Sequence, residues 1–186
     1  DRTIDFKGTI DLVTDADRAS EELVGAAITG RFPEHRFIGE ENTFLSGDTP
    51  AGSELYYWLV DPLDGTTNYA HRYPHFAVSI ALEHAGQVIL GVVYDPMRDE
   101  LFVAERGGGA TLNGAPISVS QIDILERSLL GTGFAYGPEE RNENAHVWNG
   151  FLTLAQGVRR DGSAALNLCY VACGRLDGFW ERPLNA

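Results

Sequence analysis

From Leu55 to Val60 the chain is an uninterrupted apolar run, and it passes without a spacer into Asp61-Pro62-Leu63-Asp64-Gly65-Thr66-Thr67-Asn68. The run is short and rich in aromatic and branched side chains, so it predicts a fully buried strand. Pro62 fixes its own φ and biases Asp61 toward an extended conformation, which lets Asp61 and Asp64 converge on one point beyond the strand end. With the carbonyl of Leu63 they make a hard, oxygen-rich site suited to Mg²⁺. Gly65, Thr66 and Thr67 then offer N–H groups and hydroxyls that suit an anion such as phosphate. Taken alone, the string is also ordinary turn vocabulary with solvated acids. The buried strand before it and the Thr-Thr-Asn after it favour a metal beside a phosphate, and so phosphoryl chemistry.

The 186 residues, 44% of them hydrophobic, can bury one full-sized core with room for two sub-lobes. Fourteen basic residues against 27 acidic ones leave a net charge of −13. That balance argues against nucleic acid or an anionic membrane as a partner and is compatible with collecting divalent cations. The sequence contains no apolar run of 18 residues and no signal-peptide pattern. Cys169 and Cys173 lie four apart in an apolar helical pattern with no further cysteine to complete a zinc site. They are expected to be buried reduced thiols in a cytoplasmic protein. Lys7 is the single lysine beside thirteen arginines, which hints at a need for a compact ammonium there.

Upstream of the central run, Asp11 to Asp17 passes from apolar residues into alternating acids, with Asp17 placed to cap a helix over roughly residues 18 to 31 that Pro33 ends. His35 to Ile38 predicts a strand running into Gly39-Glu40-Glu41-Asn42, which repeats the pattern of acids at a strand end. Residues 43 to 54 predict a loop. Downstream, Phe76, Val78, Ile80 and Leu82 alternate as in a strand, Gln87 to Tyr94 and Glu100 to Ala104 follow, and Asn113-Gly114 marks a hairpin, so this portion predicts a meander. His71 and His75 lack ligand spacing to a partner and are read as substrate-side or structural. Leu129 to Phe134 predicts a strand and Glu139 to Ala155 a helix with Trp148, Phe151, Leu152 and Leu154 partly inward. Asp161 or Ser163 then caps a small-residue helix that Gly174 ends, and Leu176 to Glu181 predicts a strand closing on a carboxylate.

Gly39-Glu40-Glu41, the Asp61–Asn68 string, and Gly162-Ser163-Ala164-Ala165 with Glu181 together resemble the inositol monophosphatase family, over nearly the whole length from Lys7 to Glu181. The resemblance implies an α/β fold, the layered α/β/α/β/α sandwich of the inositol monophosphatase and fructose-bisphosphatase type. Residues 1–125 would form an N-terminal α+β lobe carrying the metal site, and residues 126–186 a partial C-terminal α/β lobe carrying substrate contacts. It implies a Mg²⁺-dependent, lithium-sensitive phosphoric monoester hydrolase holding two or three ions. Glu40, Asp61, the Leu63 carbonyl and Asp64 would be metal ligands, and Thr66 with Glu40 would orient and deprotonate the attacking water. Lys7 and Asp17 match positions around the more weakly held metal. Asp64, Gly65 and Thr66, with Gly162, Ser163, Ala164 and Glu181, would hold the substrate. A homodimer is expected. The family's opening helix would precede Asp1 and its Trp-Asp pair would follow Ala186, so the fold is expected to be incomplete at both ends. The Thr-Thr-Asn ending favours the inositol phosphatase branch and leaves other small phosphate monoesters open.

Two competing readings stay in view. Asp61-Pro-Leu-Asp64-Gly-Thr is similar to the Asp-x-Asp-Gly-Thr of haloacid-dehalogenase-type phosphatases, in which the first Asp is a nucleophile; the spacing here is one residue longer. The other is a partner-binding regulator built on a phosphatase fold.

Overall fold

The computed structural model describes residues 4–6, 12–40, 55–134, 137–182 and 184. Lys7, Glu41, Asn42 and the loop expected over 43 to 54 lie outside the described residues. A short antiparallel pair, β1 (Ile4–Phe6) and β2 (Leu12–Thr14), leads into helix α1 (Asp15–Arg31). The helix starts three residues earlier than the sequence suggests, because Thr14 and not Asp17 is its cap. Thr14 is extended and accepts from the Ala16 N–H at 3.2 Å, while the Asp17 carboxylate, three residues on, takes the Thr14 N–H at 2.8 Å and its hydroxyl at 2.6 Å. That reciprocal arrangement satisfies two donors that would otherwise be orphaned at the helix start.

The strand carrying the motif, β4 (Tyr56–Asp64), lies second in a seven-stranded sheet. It pairs in parallel with β3 (Arg36–Gly39) and antiparallel with β5 (Ala77–His84). The sheet continues as the expected meander through β6 (Gln87–Asp95), β7 (Glu100–Glu105), β8 (Gly109–Leu112) and β9 (Ala115–Pro116). Asn113 and Gly114 turn the last hairpin with φ of 49° and 79°, the sign of a type I′ turn. β4 is not buried on both faces along its length. Trp58 and Val60 are buried while Tyr57 and Leu59 are half-buried, because a mostly antiparallel sheet gives its two faces different partners. Val24 and Ile28 of α1 pack with Ile80, Leu82 and Leu90 on the cluster of Phe37, Trp58 and Val60. The other face of the sheet receives helix α4 (Ala164–Ala172).

A second sheet of three parallel strands has β10 (Leu129–Thr132) between β11 (Gly157–Arg159) and β12 (Gly178–Trp180). α4 touches β5 and β6 of the first sheet and β10 and β12 of the second. A helix covered on two sides has no use for a charged stripe, and α4 carries no charged residue. Helix α3 (Pro138–Phe151) covers the outer side of the small sheet, with the Phe151 ring 4.8 Å from Trp180. α1, large sheet, α4, small sheet and α3 therefore stack as the five layers that the family resemblance implies.

α3 ends at Phe151, four residues before the expected stop. Its inward residues Asn144, Trp148 and Phe151 follow helical spacing, and Leu152 and Leu154 fall off that face, standing 49% and 52% exposed. Cys169 and Cys173 are free but only half-buried. Burial nonetheless pushes the Cys169 thiol up to about 12, so it stays protonated at neutral pH.

The Thr14 cap yields a first prediction. Thr14→Ala should destabilise the protein by about 1 kcal/mol and Thr14→Ser by much less, read as the shift in urea midpoint at unchanged slope. Equal midpoints for wild type and Thr14→Ala would contradict the capping geometry.

Candidate active site

β4 does not stop at Asp61; it runs through the motif with a bulge. Asp61 pairs with Ser79 and Asp64 with Ala77, so three steps on β4 oppose two on β5. In an unbroken strand, residues three apart point to opposite faces. One extra residue restores the parity, and both acids face the same side. Pro62, which has no N–H to give a ladder, is tolerated at such an irregularity. The local bonds fit. The Leu63 N–H donates to Asp61 Oδ1 at 3.0 Å, and the Pro62 carbonyl is taken by the Ser20 hydroxyl of α1 at 2.9 Å.

Gly65 follows with φ of 94°, and a Cβ there would lie 3.1 to 3.3 Å from the His75 carbonyl, the Gly162 carbonyl and Phe76 Cα. Only glycine fits both the angle and the space. The short helix α2 (Thr66–Ala70) then begins. The Thr66 hydroxyl donates toward Asp17 Oδ1 at 3.1 Å and the Leu63 carbonyl at 3.0 Å. Its proton is thereby committed, and the oxygen is left to accept.

Asp64 reaches across to the other sheet's helix. Its carboxylate accepts from the Ser163 hydroxyl, from the Ala165 N–H at 2.8 Å and from the Ala164 N–H at 3.2 Å. Ser163 also caps α4 through the Leu166 N–H at 3.3 Å, which resolves the choice between Asp161 and Ser163. The segment 162–164 thus meets Asp64 from about a hundred residues away.

These pieces line one cavity of ≈460 Å³. Glu40, Asp61, Leu63, Asp64, Gly65 and Thr66 form one wall; Gly162, Ser163, Ala164 and Glu181 form the other. Asp17 is not in the lining; it is buried behind Thr66 and orients that hydroxyl. His71 is exposed and His75 is buried with its ring 6.0 Å from that of Tyr170, and neither lines the cavity. The sequence reading overlooked Thr132, Glu140, Arg160 and Asn167, which also line it. Arg160 had a signal available, a cation two residues before the glycine of a helix start. Thr132 ends β10, Glu140 sits in the first turn of α3 and Asn167 lies within α4, and none of these places marks a residue for the cavity.

Charge in the cavity is one-sided. Among the described residues its lining holds the acids Glu40, Asp61, Asp64, Glu140 and Glu181 against the single cation Arg160. Burial first, then the carboxylates of Asp64 and Glu40, push Asp61 up to about 8, against the pull of the Leu63 N–H. Burial also raises Asp64, although Ser163 and the amides of Ala165 and Ala164 hold it down. Burial raises Glu181 too, with Arg160 opposing. Among the described residues, no three Asp, Glu, His or Cys side chains converge closely enough to enclose a metal ion. Asp64 is turned onto α4, and Glu40 and Asp61 share a hydrogen bond. The donors on that wall are nevertheless all oxygen, and burial with neighbouring carboxylates keeps a proton on Asp61, a set that fits a hard divalent cation able to take the proton's place.

Comparison with known proteins finds similarity along the whole chain. The family model described as "Inositol monophosphatase family" matches residues 1–186. An inositol-1-monophosphatase of Synechocystis is 49% identical over 176 residues, covering 94% of this chain and 60% of its own length. A Nus factor SuhB of Pseudomonas aeruginosa is 44% identical over 186 residues, covering 98% of this chain and 68% of its own. The crystal structure of an extragenic suppressor protein suhB from Bartonella henselae superposes with a TM-score of 0.91 at 41% identity, covering 98% of this chain and 70% of that one. The chain spans about two thirds of the length of these relatives.

The displaced titration of Asp61 predicts how stability depends on pH. The folded carboxyl holds its proton up to about 8, against an ordinary 3.8, so between those values the folded state binds more protons than the unfolded one. Stability from this group is therefore present below about pH 4 and lost as pH rises toward 8. In EDTA, the difference in thermal midpoint between wild type and Asp61→Asn should grow over that window, in favour of the variant. A pH-independent difference would overturn the assignment.

Proposed function

The chain belongs to the inositol monophosphatase family, and from that premise we propose that it hydrolyses a small phosphate monoester, first of all a myo-inositol monophosphate, with Mg²⁺ and by direct attack of water. The observation that carries this is the meeting of three distant segments around one cavity: Glu40, the Asp61–Thr66 stretch, and Gly162–Ala164 with Glu181. A phosphate monoester dianion facing five acids and one arginine would be repelled without added cations. Glu40, Asp61, the Leu63 carbonyl and Asp64 are the groups proposed to hold two or three Mg²⁺. When bound, the metal supplies positive charge to the phosphoryl oxygens and lowers the pKa of water.

The chain's own groups do the rest. Thr66, its hydroxyl hydrogen directed at Asp17 and Leu63, accepts a hydrogen bond from the attacking water, so that a lone pair of the water points at the phosphorus. Glu40, exposed at the mouth of the site, takes the proton. Backbone N–H groups at Gly65 and Thr66 bind phosphate oxygens. Glu181 accepts from hydroxyls of the leaving alcohol, and Gly162 to Ala164 admit it close to the backbone. Lys7 and Asp17 remain the proposed surroundings of the weakly held metal, where Li⁺ would act. The lobes 1–125 and 126–186, a homodimer and a cytoplasmic setting belong to the same proposal. Among the described residues no helix is long and apolar enough to cross a membrane.

The name of the Pseudomonas relative, a Nus factor, favours a partner-binding role as a second function beside hydrolysis. Glu40, Asp61 and Asp64, the acids proposed here for hydrolysis, are present in the chain, so the two do not exclude each other.

Phosphate release by the full-length protein should require Mg²⁺ and vanish in EDTA. Asp61→Asn and Asp64→Asn should each lose more than the roughly 10–100-fold typical of removing an outer partner, with a matching rise in the Mg²⁺ needed for half activity. Wild-type turnover by Asp64→Asn at low Mg²⁺ would remove it from the ligand set.

Single turnover in ¹⁸O-water should put the label in the released phosphate and none in Asp61. Label in the Asp61 carboxylate would instead establish the covalent route of the dehalogenase type.

A further inference from the structure

Asn68 stands on α2, outside the cavity lining, and its side chain spends both of its donors on main-chain carbonyls. Nδ2 donates to the His75 carbonyl at 2.7 Å and to the Asp161 carbonyl at 2.8 Å. The first lies on the segment entering β5 of the large sheet. The second lies between β11 of the small sheet and α4. The carboxamide lies against Gly162, whose φ is 89°, and the Gly162 carbonyl in turn lies against Gly65, whose φ is 94°. A Cβ on Gly162 would come within 3.0 and 3.1 Å of the Asn68 amide atoms, and one on Gly65 within 3.2 Å of the Gly162 carbonyl. The chain leaves this knot as Ser163, Ala164 and Ala165, whose hydroxyl and N–H groups lie on Asp64.

We propose that Asn68 is the positioning residue for the substrate-side wall: its amide ties Asp161 to the motif loop and so fixes where Gly162 to Ala164 stand relative to Asp64. The role rests on the hydrolase reading only for its kinetic consequence. Two attachments hold the segment, and they differ in kind. The bonds to Asp64 involve a carboxylate and change when its charge is drawn elsewhere. Those of Asn68 join neutral groups and are indifferent to the ionisation of any acid in the cleft. Asn68 therefore keeps the wall in register through whatever Asp64 does. The chemistry asks for an amide. Two donors are needed within one short side chain, aspartate of the same shape would set a negative charge against two carbonyl oxygens, and alanine would leave both carbonyls unmade.

The test uses the full-length protein with Asn68→Ala, Asn68→Asp and Asn68→Gln. Amide hydrogen exchange without any ligand should show protection over residues 161–166 falling roughly tenfold in Asn68→Ala and further in Asn68→Asp, with peptides from β5 to β7 unchanged. KM for inositol monophosphate should rise by a similar factor, while KM for p-nitrophenyl phosphate, whose leaving group makes little use of that wall, and the half-saturating Mg²⁺ stay within about twofold. Asn68→Gln should lie between alanine and wild type. Unchanged exchange at 161–166, or Asn68→Asp matching wild type, would overturn the proposal. So would exchange and both KM values rising together across the whole protein, which marks a general loss of stability. If wild type turned over neither phosphate, the functional reading would fail while the exchange comparison still judged Asn68.

Discussion

One carboxylate ties the motif strand of the larger sheet to the helix that packs on both sheets. Asp64 ends that strand and lies on the opening turn of α4. An acid buried without donors would be costly. Here the donors come from a segment a hundred residues later, so satisfying the acid and docking the second sheet are one event. The turn at Gly162 to Ala164 on the cleft's far wall is held by that contact and by the bond of Asn68 to the neighbouring carbonyl, while α4 beyond it packs on both sheets and Arg175 pairs with Glu100 of β7. The same arrangement explains why the acids do not stand ready as a cage. With Asp64 serving α4, Glu40 and Asp61 face each other alone.

Much of the architecture was legible because it is written in local pattern. The meander follows from alternating residues and an Asn-Gly hairpin, and α4 from its Ser-Ala start and charge-free body. What escaped depends on partners distant in sequence. Thr14 takes over the cap of α1 because Asp17 is needed as the answering side chain and as the orienter of Thr66, a relation invisible from residues 11 to 17. The inward face of α3 closes on Phe151 meeting Trp180, a partner 29 residues on that residues 139 to 155 do not display. The half-burial of Leu59 and Tyr57 depends on which strands flank β4, and an apolar run alone cannot state that.

The site divides along the same line. The motif residues and the Gly-Ser-Ala turn were each recognisable, since strained or donor-rich backbone needs particular residue types. Their convergence on one cavity is a property of the fold, as is the membership of Arg160 and Asn167. Asn68 sat inside the recognised string but had no assigned part, because its partners are carbonyl oxygens, which every residue possesses and no sequence displays.

The bulge at Asp61–Asp64 has a consequence for how this chain can vary. A substitution there alters one group and leaves the rest where they were. Inserting a single residue between the acids, with the pairing otherwise kept, would undo the parity that the bulge restores and carry Asp64, Gly65 and the start of α2 to the opposite face, intact in composition and useless in place. Deleting one would leave both acids on one side but remove the bulge that lifts Pro62 and Leu63 out of the ladder. What the lineage must preserve at this point is a count as much as an alphabet, so length between the two acids should be the stricter inheritance.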